Sequence, residues 1–308
     1  MHGGVEFITE RRRLSVFLRQ KIILAILSEA GRSLSPTKLV KLAFLVGQET
    51  SLRDDRTYYD FVPYKYGPFS FALYRELDGL RRNGYVSAAE KTVELCSAMR
   101  AGSQAKVDEL PSRPRSAVAA IVREYGEMSQ PSLLKHVYRQ YPWYTIHSEL
   151  TELAPAGRPE RPRAPIGVYT SGYEGKSVDR FFDELIHAGI EAVLDVRCNP
   201  ISRKYGFARS SMRDIGAKLG IAYHHLPELG IASDERVSLS DYESYQRLLD
   251  RYERRMLPRQ TEGIERVIGL LQEVPSVMVC MEKDVTCCHR GRLANHVAEK
   301  MQLPITHL

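Results

Sequence analysis

Apolar positions recur along this chain at two different spacings, and the change comes near residue 165. Before it, most apolar residues fall at the intervals that put them on one face of a helix. The run IILAIL (22–27) follows Arg19 and Lys21 and is only six residues long. That is far short of a membrane span or a signal peptide, so it predicts the buried face of a helix. Ser35-Pro36 opens another helix: the serine supplies an N-cap oxygen, the proline suits the first position, and TKLVKLAFLVGQE carries the apolar stripe. DFVPYKYGPFS (60–70) mixes proline, glycine and aromatic residues and predicts a loop. FALYRELDGLRRNGYVS predicts a helix that stops at Asn83-Gly84 and turns into a short strand, with a further helical group around 116–140. Helix, helix, then helix into strand is the order of a winged-helix-like domain, and a plain helical bundle fits the spacing too.

From residue 166 onward strands and helices alternate. IGVYTSGY, EAVLDVR, IAYHHL, PSVMVCME and PITHL are short strand-like runs. Between them lie SVDRFFDELIHAG with Ser177 as N-cap, SSMRDIGAKLG, two helices near 241–256 and 259–273, and CHRGRLANHVAEKMQ. PSVMVCME is almost continuously apolar, which predicts a strand buried on both faces. Such alternation argues for a parallel sheet with right-handed crossovers. The stretch APAGRPERPRAP (154–165) has four prolines, three arginines and no large apolar residue, and reads as an extended linker. The expected fold class is therefore α/β: a C-terminal parallel-sheet domain (166–308), preceded by a mainly helical, winged-helix-like domain (1–153) and the linker.

Composition adds two points. Five cysteines, an odd number at irregular spacing, make no disulfide framework and suit a reducing cytoplasm. The net charge of +6 is lopsided: residues 1–164 hold 25 Lys and Arg against 18 Asp and Glu, while 165–308 hold 19 against 20. A basic N-terminal half, including Arg11, Arg12 and Arg13, suits contact with a polyanion such as DNA, although an ordinary solvated surface looks the same. No membrane contact is expected, and the oligomeric state is not written in the sequence.

Ligands of parallel sheets bind outside the carboxyl ends of the strands, so the residues after each strand carry the chemistry. These are Tyr173 after the first strand; Asp195, Arg197, Ser202 and Arg203 after the second; His225 after the third; and Glu282, Cys288, His289 and Arg290 around the long apolar strand. The densest stretch, CMEKDVTCCHRGR (280–292), admits three readings. A zinc site is disfavoured, because paired cysteines two to four residues apart are missing and the adjacent Cys287 and Cys288 point in different directions. A thiol nucleophile at Cys288 would profit from a helix N-terminus beside His289 and Arg290. The third reading makes Asp195, Glu282 and His289 the catalytic groups, with Tyr173, Arg197, Ser202, Arg203, His225 and Arg290 binding substrate or phosphate. The same acids and arginines could equally be salt bridges that hold the loops. No metal and no cofactor is assigned.

Two resemblances follow from these motifs. TSGYEGKSVDRF, DVRCNPISRKYGF, YHHLPELG and CMEKDVTCCHRGRLA, in this order over 166–308, resemble the domain of unknown function family 488. The Tyr173-Glu174-Gly175 loop is longer than in its simplest members, and membership implies a fold without fixing a chemistry. SPTKLVKLAFLVGQ and YDFVPYKYGPFSFALYRELDGLRRNGYV resemble the Panacea, or SocA-like, antitoxin domain over roughly 20–90. That likeness implies a binding module of the kind associated with toxin neutralisation and phage defence. Together they lead to an expected nucleic-acid hydrolase, a DNA glycosylase-like enzyme removing modified bases, with a possible protein partner through its N-terminal domain. A non-enzymatic regulator of antitoxin type and a Cys288-dependent enzyme are the alternatives.

Overall fold

The first helices form where a start signal meets an apolar run. The computed structural model describes residues 16–89, 91–97, 100–236 and 241–308, so Arg11, Arg12 and Arg13 lie outside the described residues. Helix α1 (Leu18–Ala30) buries Ile22 through Leu27 and ends at Gly31, whose φ of 63° is left-handed. Helix α2 (Pro36–Gln48) starts as its sequence predicts, with the Lys38 N–H donating to Ser35 Oγ at 3.1 Å. The stretch read as a loop is instead a hairpin of β1 (Val62–Tyr64) and β2 (Gly67–Phe69). Its loop-like residues fit so short a ladder: Pro63 pairs with Pro68, and Gly67 takes a φ of 86° beside the turn. Helix α3 (Phe71–Arg82) stops before Asn83-Gly84 and leads into the antiparallel pair β3 (Val86–Ala89) and β4 (Thr92–Leu95), which Leu34 joins by a bridge to Val93. Then come α4 (Arg100–Asp108), α5 (Ser112–Tyr125) and α6 (Gln130–Gln140). The N-terminal region is thus mostly helical, with its first three helices and the strand after them in the expected order, while the β1–β2 hairpin, α4 and the second strand of the β3–β4 pair were not anticipated.

Chain contacts separate two compact units, residues 1–58 with 75–128 and residues 59–74 with 129–308. The segment 154–165 falls inside the second unit. There the Arg161 guanidinium donates to the carbonyls of Ile190 (3.0 Å), Gly220 (3.1 Å) and Leu219 (3.3 Å). Trp143 packs in the same unit, stacked on His187 with its Nε1–H on Asp183 at 3.2 Å.

The second unit is organised by strand alternation. It contains β5 (Val168–Gly172), α7 (Val178–His187), β6 (Ala192–Asp195), α8 (Arg209–Lys218), β7 (Ala222–His225), α9 (Tyr242–Arg251), α10 (Thr261–Glu273), β8 (Ser276–Cys280), α11 (His289–Met301) and β9 (Ile305–His307). The five strands form one parallel sheet in the order β7-β6-β8-β5-β9. Successive side chains point to opposite faces. Val193, Val277 and Val279 pack on Phe181, Phe182, Met212 and Ile215 of α7 and α8. Leu194 and Met278 pack on Leu248, Ile264, Val267, Leu293 and Val297 of α9, α10 and α11. Every residue of β8 is buried, as its apolar run predicts. Among the described residues no helix is long and apolar enough to cross a membrane.

One buried acid ties the β1–β2 segment to this layer. Asp179, fully buried on α7, accepts from Ser70 Oγ (3.1 Å), Phe71 N (2.6 Å) and Ala72 N (3.0 Å), and so caps the start of α3. Burial pushes its carboxyl up to about 7, against the downward pull of these bonds. An unfolded aspartate titrates near about 3.9. The folded chain therefore holds this proton more tightly, and the stabilisation it brings is present below about pH 4 and lost as pH rises through about 7. Chemical denaturation of the wild type and Asp179→Asn between these limits should show the wild type losing ground to the variant as pH rises. Parallel curves for the two would show that Asp179 does not titrate there.

Candidate active site

Helix placement makes the carboxyl end of the sheet the natural site. The chain leaves β5 and β6 for α7 and α8 on one face, but leaves β8, which lies between them, for α11 on the other. Adjacent strands whose connections part to opposite faces open a crevice at their carboxyl ends. Asp195 ends β6 and Cys280-Met281-Glu282 follows β8 at this crevice.

Asp195 and Arg197 form a closed ion pair. Arg197 Nε meets Asp195 Oδ1 at 2.8 Å and Nη2 meets Oδ2 at 2.5 Å, with both side chains buried. The Arg197 N–H (3.2 Å) and Tyr223 OH (2.6 Å) also donate to this carboxylate. Burial and the adjacent Asp195 raise the Tyr223 phenol, which keeps its proton. Arg197 Nη1 donates to Tyr173 OH at 2.8 Å and to Phe207 O at 3.0 Å. Tyr173 is itself buried and stacked on Phe207, with ring centroids 4.2 Å apart. His225 Nε2–H donates to Arg197 O at 2.9 Å. Of the residues expected to bind substrate, Tyr173, Arg197 and His225 thus all converge on one ion pair and hold one another. Ser202 accepts from the Lys204 N–H at 3.1 Å, and Arg203 is exposed.

The second constellation joins β8 to α11. Glu282 Oε2 accepts from Cys280 Sγ and Cys288 Sγ, each at 3.0 Å. Burial alone would raise this carboxyl, but the two thiols, its own backbone N–H and nearby His289 bring it below the usual glutamate value, so it is ionised at neutral pH. Buried His289 places Nδ1 3.8 Å from Cys280 Sγ and donates Nε2–H to Val196 O at 3.0 Å. Burial pushes the Cys288 thiol well above the ordinary range, and Cys280 adds to the shift. A thiol held so is protonated at neutral pH and is a weak nucleophile. Cys287 turns away, toward Thr286 and Asp284. The sequence spacing argued against a metal ligand set, yet the fold brings Cys280, Cys288 and His289 together, because the loop 281–287 returns α11 to the end of β8.

Arg290 fixes that loop. Its Nη1 donates to Glu282 O at 2.5 Å and its Nη2 to Lys283 O at 3.0 Å. Gly172 makes the approach possible, since a Cβ there would collide with the Glu282 carbonyl. Buried Arg290 therefore points at backbone carbonyls. Sequence reading missed Tyr223, Phe207 and the two thiols on Glu282. Only Tyr223 had a signal, lying two residues before His225 and so on the same face of β7.

The fold and site define a parallel-sheet α/β domain with a Cys-Glu-Cys-His cluster at the carboxyl end of its middle strand. Residues 177–297 match the model of a family described as Domain of unknown function DUF488. The matched span bears out the C-terminal resemblance and does not include the Panacea-like segment. No curated protein matches the chain.

The ion pair sets a stability expectation. Asp195→Ala leaves Arg197 buried without its counter-charge and should cost about 3–5 kcal/mol. Tyr223→Phe removes one hydrogen bond to a charged group and should cost about 1.5–3 kcal/mol. Urea denaturation of both measures this, and an Asp195→Ala chain as stable as wild type would show the pair to be dispensable.

Proposed function

We propose that the second unit is a hydrolase acting on nucleic acid, in which Glu282 activates the attacking water. The observation that carries this reading is Glu282 itself: an ionised, half-buried carboxylate at the crevice beside the middle strand. Asp195 is already saturated by Arg197 and Tyr223, which leaves Glu282 as the carboxylate suited to proton transfer. Exposed Arg203, with Lys204 and Lys283 on the loops bordering Tyr173, offers cations to an anionic substrate at this edge, beside the acidic Glu174 and Asp284. The basic N-terminal half favours the same class of partner.

The bond we assign is the N-glycosidic bond of a modified base in DNA. Water attacks C1′ and gives a proton to Glu282, while the base departs with the electrons of its bond to C1′ and takes a proton from solvent. A base in duplex DNA would have to be turned out of the stack to reach the crevice. His289 positions the cluster through its bond to Val196 O.

Base release decides the matter. The full chain is incubated with ordinary DNA and with DNA carrying modified cytosines, and free bases and abasic sites are followed by mass spectrometry. Release that falls about 100-fold or more in Glu282→Gln, with melting unchanged, is expected. No release from any DNA by a folded chain that still binds DNA or a protein would replace this reading with the antitoxin-type regulator.

A further inference from the structure

Cys280 closes β8 and Cys288 caps α11, yet their sulfurs and a ring nitrogen of His289 all lie within 4.8 Å of one another. Cys280 Sγ lies 3.8 Å from His289 Nδ1. A tetrahedral ion with bonds of about 2.3 Å to sulfur and about 2.0 Å to nitrogen spaces its ligands about 3.5 to 3.8 Å apart. The three donors are within about 1 Å of that spacing before any adjustment.

Three further features match what such an ion requires. His289 is already oriented: its Nε2–H on Val196 O fixes the tautomer and leaves the Nδ1 lone pair facing the sulfurs, the outer-shell contact that metal-binding histidines use. All three donors are buried and come from two rigid elements, the end of a central strand and the first turn of a helix. Charge also balances. A divalent ion that enters as two thiol protons leave adds no net charge to this buried cluster.

We propose that Cys280, Cys288 and His289 bind one divalent transition metal of the zinc class through two thiolate sulfurs and Nδ1, with the fourth position taken by a water beside Glu282. Sulfur and imidazole donors select such an ion over magnesium or calcium. Binding forms two metal–sulfur bonds and one metal–nitrogen bond, releases two protons to solvent and transfers no electron. Glu282 Oε2, 3.0 Å from each sulfur, loses both S–H donors and accepts from the water instead. Only this role of Glu282 rests on the hydrolase reading; the metal site does not.

The test uses the full chain, reduced, stripped with a chelator and titrated with Co(II) and then Zn(II). One equivalent of Co(II) should bind, with sulfur-to-cobalt charge-transfer absorption and the visible bands of a tetrahedral ion, both erased by Zn(II). Cys280→Ser, Cys288→Ser and His289→Asn should weaken binding by about 100-fold or more, since even outer-shell partners are worth about 10- to 100-fold. Glu282→Gln should keep the ion while losing base release. Absence of the charge-transfer band in the wild type, or a Cys280–Cys288 disulfide in place of bound metal under the same conditions, overturns the site. Loss of metal in Glu282→Gln overturns the water position, because it makes the carboxylate a ligand. If the serine variants do not fold, the wild-type spectrum decides alone, as that band reports sulfur directly. Metal binding without base release removes the hydrolase and leaves the metal site standing; base release from a chain that binds no metal does the reverse.

Discussion

The buried pair of Asp195 and Arg197 is the contact on which the carboxyl end of the sheet depends. Neither charge has water to turn to, so each must be satisfied by protein groups, and those groups come from every neighbouring element. Tyr223 reaches in from β7, and Tyr173 from the loop after β5. Phe207 contributes its carbonyl from the loop before α8, and His225 grips the Arg197 carbonyl. A loop of this length between β6 and α8 would otherwise be free to move. Here one guanidinium holds it through the Phe207 carbonyl, and the stacking of Tyr173 on the Phe207 ring adds a second contact. The same knot reaches the second cluster, because Val196, between the two charged residues, offers the carbonyl that orients His289.

That arrangement explains which parts of the fold were legible in the sequence. Strand and helix periodicity located each element of the C-terminal half, since burial between two helical layers demands continuous apolar runs and one-sided helices. Ser35 and Ser177 were readable as caps for a similar reason: a short hydroxyl before a periodic run has one common use, and both accept the expected N–H. The hairpin of Val62–Phe69 was not readable, because proline and glycine mark turns and short edge ladders alike. Strand order was hidden as well. Nothing local tells β8 to insert between β5 and β6, and that insertion depends on contacts between residues about a hundred positions apart.

The site followed the same rule. Residues at strand ends were found, because the end of a strand is a local property. Their partners were not, because a partner is a property of the assembled sheet. Asp195 and Arg197, two residues apart, read as two active groups or as one ion pair, and only Tyr223 and Tyr173 closing over them distinguishes the two. Cys280 and Cys288 were disfavoured as joint metal ligands for the converse reason: their separation in sequence is wrong for a local metal knuckle, while a strand, a turn and a helix bring them to one carboxylate oxygen.

Two charged knots therefore stand on neighbouring strands with different kinds of partner. In the first, a carboxylate meets a guanidinium, a phenol and a backbone N–H, and no donor or acceptor is left for chemistry. In the second, a carboxylate accepts from two S–H groups and from its own backbone N–H, while Arg290 gives two of its nitrogens to the carbonyls of Glu282 and Lys283. Sulfur is a weak donor beside a guanidinium or a phenol, so the two carboxylates are held by partners of different kinds. The constraint that holds the first rigid lends its backbone to the second through Val196. That coupling runs through one backbone carbonyl, and it joins the carboxyl ends of β6 and β8.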